Sequence, residues 1–119
     1  MQAPAFDLDS ALERCDGDRD LLQGMAELFF EQSGKLMPQI AQAVNQRDAS
    51  AVERLAHKLK GSIGNFSAPQ AFTAAQRLED MGRSGDLSQT TEAHAHLEQS
   101  VAGLQAALAE LMADHPVAN

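Results

Sequence analysis

Apolar residues return every third or fourth position along most of the chain, and nowhere do they alternate with polar ones over a sustained stretch. That period belongs to an amphipathic helix, and a chain that shows it throughout can only bury its apolar stripes by packing helix on helix. β-branched residues are few, while Ala, Leu, Gln and Glu, all good helix formers, are abundant. The pattern predicts a short first helix over about residues 7–14, capped by Asp7 or Asp9 and ended by Asp16-Gly17-Asp18. A long second helix is expected over about residues 19–46, with Leu21, Leu22, Met25, Leu28, Phe29, Ile40 and Val44 on its apolar stripe. Pro38 falls inside it and is expected to kink the helix rather than end it, because the apolar period resumes afterwards.

The third helix is expected to open after Asp48 and to run to about Asn65. Ser67-Ala68-Pro69 predicts the start of the fourth, with Ser67 as cap and Pro in the first turn, and the stretch from Gly82 to Gly85 its end. The last helix, over about residues 88–113, has Leu97, Val101, Leu104, Leu108 and Leu111 as its buried stripe. Short connections between long helices favour an all-α, antiparallel up-down-up-down four-helix bundle, with the short N-terminal helix capping one end. At 119 residues the chain suits a single domain over residues 1–119.

The formal net charge of −8 would repel a phosphate backbone, which argues against nucleic acid as a partner. No apolar run approaches the ~20 residues of a membrane span, and Met1 to Asp9 lacks a basic region followed by an apolar stretch. The expectation is a cytoplasmic protein without membrane contact. One cysteine, Cys15, excludes an internal disulfide and is expected to be a buried small apolar residue. With no Trp or Tyr there is no base-stacking surface, and Phe66 and Phe72 are expected in the core. Against this acidic background the basic residues are informative by position: Arg54, Lys58 and Lys60 flank a single histidine, His57.

That histidine lies in the third helix. A helix turns about 100° per residue, so Val52, Leu55, Ala56, Leu59 and Ile63 share a core face. His57, Lys60, Gly61 and Gly64 share another, rotated roughly 130° from the first. His57 should therefore stand in solvent beside a lysine. Each glycine inside a helix costs about 1 kcal/mol relative to alanine, so two on one exposed face need a reason other than fold stability. Missing Cβ atoms at Gly61 and Gly64 would let another protein's surface approach the backbone beside His57. Lys60, one turn away, could offset phosphate charge and orient its oxygens.

The run His57-Lys58-Leu59-Lys60-Gly61-Ser62-Ile63-Gly64-Asn65-Phe66 resembles the signature of histidine phosphotransfer (HPt) domains: a histidine, then x-Leu-Lys-Gly-small-x-Gly-Asn-apolar. The resemblance takes in the preceding long helix with Phe29-Phe30, the Asp48 cap and Leu78-Glu79 on the fourth helix. It implies that His57 is phosphorylated by the aspartate of one receiver domain and passes the group to another. It also implies that Lys60 orients the phosphate and that Gly61 and Gly64, with Lys58 and Glu79, meet the partner. Glu79 matches a position that often carries Gln or Glu near the histidine ring. Ile63 is bulkier than the usual Ala or Ser, and Ser67 replaces a frequent Gly; both bear on partner choice rather than on chemistry.

By the same resemblance the nucleophile is a neutral imidazole, reacting through Nε2. The divalent metal is expected on the partner receiver, and the domain itself is expected to be a monomeric phosphocarrier without cofactor, metal or ATP site, either free-standing or part of a hybrid histidine kinase. Two other readings compete. The dimerising phosphoacceptor domain of a sensor kinase usually carries an acidic residue directly after its histidine, where this chain has Lys58. A plain helical adaptor would leave His57 dispensable. His94 and His96, two apart, point roughly 200° apart on a helix and cannot share one ion there. His94 with Glu98 supplies only two ligands, and His115 is expected in the tail.

Overall fold

A computed structural model describes residues 8–114. Among them the chain forms α1 (Leu8–Arg14), α2 (Arg19–Asn45), α3 (Ala49–Ile63), a 3-10 turn (Gly64–Phe66), α4 (Pro69–Ser84) and α5 (Thr90–Asp114), with no strand. α2 packs on α3, α3 on α4, α4 on α5 and α5 back on α2, which closes an antiparallel four-helix bundle. α1 packs on the 3-10 turn and on α2, covering one end. The expected cap at Asp7 and the tail histidine His115 lie outside the described residues.

The helix starts follow local chemistry. Asp18 and Asp48 have extended backbones, and each accepts a hydrogen bond at 3.1 Å from a backbone N–H three residues on, at Leu21 and Ala51. α2 continues through Pro38, whose side lies in solvent. The start of α4 departs from expectation. Ser67 is not its cap: it takes a left-handed conformation (φ 50°) at the end of the 3-10 turn, and Ala68 precedes Pro69 without a side-chain cap. The turn consumes the residue that would otherwise have been free to cap.

The core is assembled from Leu22, Phe29 and Ile40 of α2, Val52, Leu59 and Ile63 of α3, Phe66, Leu78 of α4, and Leu97, Leu104 and Leu108 of α5, with Cys15 buried beside them. Phe29 and Phe66 meet edge to face with centroids 5.6 Å apart. Three expected core residues are exposed instead: Leu21 (50%), Leu28 (51%) and Phe72 (39%). α2 turns the neighbouring residues Leu22 and Phe29 inward, and a step of about 100° carries Leu21 and Leu28 out. Leu111 is half-buried near the end of α5.

α3 and α4 form the most extensive contact of the bundle. Gly82 is the reason they come so close. It lies buried inside α4, where a Cβ would stand 2.5 Å from the backbone N of Glu53 and 2.7 Å from the carbonyl O of Ala49. Gly82 thus lets two backbones touch, while the helix ends within the expected stretch, at Ser84 with Gly85 as its left-handed cap (φ 78°).

Candidate functional site

The polar face of α3 meets α4 just beyond this contact. Val52, Leu55, Ala56, Leu59 and Ile63 are all buried, so the face carrying His57 turns outward as the helical wheel requires. The His57 side chain is 67% exposed, yet its Nδ1 lies 3.2 Å from Oε2 of Glu79, one turn before Gly82 on α4. Glu79, expected to meet the partner, is instead buried between α3 and α4, with only 3% of its side chain accessible. A carboxylate only accepts hydrogen bonds, so the contact calls for a proton on Nδ1, and in the neutral ring that leaves the Nε2 lone pair available.

Three donors converge on Glu79. Lys60 Nζ forms an ion pair with Oε1 at 2.8 Å, and Arg83 Nη2 donates to Oε2 at 2.6 Å, alongside His57. The Lys60 ammonium beside it, helped by His57 and opposed by burial, holds the Glu79 carboxyl below the ordinary carboxylate range. Lys60 is not extended into solvent beside His57, as the wheel suggests. Its side chain is 17% exposed, and the ammonium turns across to α4, where it also donates to Gln76 Oε1 at 2.9 Å and stands 5.8 Å from the Phe72 ring centroid.

Gly61 is exposed, and a Cβ there would meet nothing within 4 Å. Gly64 is placed differently from expectation. The helix stops at Ile63, so Gly64 is its C-cap, half-buried, and a Cβ would stand 3.7 Å from Cε2 of Phe72. Gly64 and Phe72, with Ile63, Ser67 and Pro69, line an open groove of about 520 Å³ beside Lys60. Phe72 belongs to this surface rather than to the core. Lys58 is exposed on the far side of His57. Arg83 carries no sequence signal on its own; only its i, i+4 spacing from Glu79 could have drawn notice.

Elsewhere, His94 Nδ1 lies 3.4 Å from Glu98 Oε1, and His96 is exposed. Among the described residues no group of three or more His, Cys, Asp or Glu is arranged to hold a metal ion, and no helix is long and apolar enough to cross a membrane.

The helical bundle thus presents the His57 imidazole with Nδ1 against a buried carboxylate and most of the ring in solvent. The sequence model of the Hpt domain matches residues 24–107, and the chain belongs to that family. It is a histidine phosphotransfer module of phosphorelays, whose members are phosphocarriers and not kinases and interact with receiver domains. The fold is similar to that of histidine-containing phosphotransfer protein B (HptB) from Pseudomonas aeruginosa PAO1, with a TM-score of 0.83 at 21% identity, over 92% of this chain and 95% of that one. No curated protein matches the chain.

Proposed function

We propose that His57 is the residue that carries the phosphoryl group, with Lys60 as its phosphate partner. The observation that carries this reading is the pairing of His57 Nδ1 with the buried Glu79 carboxylate at 3.2 Å while most of the ring stays in solvent. In the step, the Nε2 lone pair attacks phosphorus of a receiver's aspartyl phosphate. A P–N bond forms, the P–O bond to the aspartate breaks, and the carboxylate leaves with the electron pair. The Nδ1 proton stays on the ring, so the positive charge that develops there faces Glu79. Passing the group on reverses these bonds with a second aspartate. Gly61, Gly64 and Lys58 lie where a docked receiver would meet α3, and the divalent cation of the reaction is assigned to that receiver.

In this reading the chain is a single cytoplasmic domain that works as a monomer without membrane contact, free-standing or within a hybrid histidine kinase. The closed packing of α2 through α5 favours a self-sufficient bundle over a two-helix hairpin that must dimerise. Incubation with a phosphorylated receiver, followed by intact-mass measurement, tests the assignment. One added phosphoryl group on the wild type and none on His57→Gln is the expected result; label retained by the variant would overturn it.

A further inference from the structure

The ammonium of Lys60 is already engaged. Its partners are Glu79 Oε1 at 2.8 Å and Gln76 Oε1 at 2.9 Å, and Oε1 of Glu79 has no other partner among the described residues. To serve a phosphoryl group on His57, Lys60 must exchange the carboxylate for the phosphate. Stripping the cation from a carboxylate that is 3% exposed would strand a buried charge, which is costly. A second cation removes the difficulty. Arg83 Nη2 holds Oε2 at 2.6 Å, while its Nε donates to Glu53 Oε2 at 3.1 Å and its Nη1 lies 3.5 Å from Asp80 Oδ1. The guanidinium is thus tied to Glu53 on α3, one turn before His57, and to Glu79 and its neighbour Asp80 on α4. A planar fork of five donors suits that task better than a point charge.

We propose that Arg83 is a positioning residue for phosphoryl acceptance: it retains the Glu79 carboxylate against Nδ1 of His57 and thereby releases Lys60 to the phosphate. The inference rests on His57 being the phosphorylated residue. Arg83 touches neither the phosphate nor the ring. Without it, Lys60 is the sole cation on a buried carboxylate and stays there.

The competing account is a surface clip, in which Arg83 merely joins Glu53 to α4 and affects stability alone. Phosphoramidate is a suitable probe, because it needs no docking partner: Nε2 attacks phosphorus and ammonia leaves. Label on His57 is followed by mass in the wild type, Arg83→Gln, Arg83→Lys, Lys60→Ala, the Lys60→Ala/Arg83→Gln double variant and Glu53→Gln. The expected result is a several-fold slower uptake in Arg83→Gln, partial rescue in Arg83→Lys and a wild-type rate in Glu53→Gln, which removes the charge of the clip but keeps the contact with Glu79. In the Lys60→Ala background, Arg83→Gln should slow uptake by a smaller factor, because no lysine is left to release. An Arg83→Gln rate equal to wild type, or an equal slowing with and without Lys60, overturns the proposal while leaving the assignment of His57 intact. Should Arg83→Gln fail to fold, slow uptake in Glu53→Gln or a failed rescue in Arg83→Lys overturns it equally. A wild type that takes no label on His57 overturns the function and this inference together.

Discussion

His57 Nδ1 and Glu79 Oε2 stand 3.2 Å apart, a contact between residues 22 positions apart in the chain that joins a mostly exposed ring to a buried carboxylate. The arrangement resembles other imidazole–carboxylate pairs in which the acid fixes the tautomer and the opposite nitrogen reacts. It explains how a side chain in solvent can still have one defined reactive atom.

Replacing His57 by Gln should abolish phosphoryl acceptance without disturbing the bundle. The ring is mostly exposed and Lys60 and Arg83 still hold Glu79, so stability should change by about 1 kcal/mol or less. Thermal unfolding followed by circular dichroism checks the second half of this statement, since the chain has no Trp to follow.

Glu79→Gln should flatten the acid limb of the stability curve. Lys60, and after it His57, hold the native Glu79 carboxyl below its ordinary value of 4.5. A depressed carboxylate contributes stability that is fully present above the ordinary carboxylate range and is lost as pH falls through the lowered native value. The amide has no such titration. Urea midpoints measured from neutral pH down to about pH 3, spanning that range, should fall more steeply for the wild type than for the variant; equal slopes would show that the pair makes no net contribution.

Gly64→Gln should leave the fold nearly unchanged and impair transfer from a receiver. Its backbone is right-handed (φ −57°), and the added Cβ meets Phe72 Cε2 at an ordinary 3.7 Å. The rest of the side chain, however, would project into the groove beside Lys60. Transfer from a phosphorylated receiver should weaken through KM, while uptake from phosphoramidate stays normal. Loss of both would point to a distorted site rather than blocked docking.

Gly82→Ala should destabilise the protein although alanine is the better helix former. Its Cβ would stand 2.7 Å from Ala49 O and 2.5 Å from Glu53 N, and both are backbone atoms that cannot move aside alone. Overpacking of this kind costs about 1–3 kcal/mol, and α4 must shift outward to relieve it. The same shift would carry Glu79 away from His57, so phosphoryl uptake should fall together with the melting temperature. A variant as stable and as active as wild type would mean that the close approach is not needed.

Much of this molecule was legible in the order of its residues. Asp48 announces the start of α3, Pro69 opens α4, and the five buried residues of α3 are those its apolar spacing names; Asp18, read only as part of the end of α1, also caps α2. The outward direction of His57 follows from the same spacing, because within one helix the direction of a side chain depends only on its place in a repeat of about 100° per residue. The His57-to-Phe66 run pointed to the family that the comparison with known domains established.

What the sequence could not determine is what meets across two helices. Leu21, Leu28 and Phe72 are apolar by composition and exposed in the bundle, because burial depends on how each helix is rotated against its neighbours. Lys60 lies on the exposed face by count, but its four-carbon stem reaches back to α4 once a buried carboxylate is there to receive it. Glu79 was named by the family resemblance, but Arg83 reaches the site because α4 presses on α3 at Gly82, a contact set by the missing side chain of one residue and by the rotation of both helices. Local periodicity determined which way His57 points; the distance and rotation between α3 and α4, which no single helix encodes, decided what holds it there.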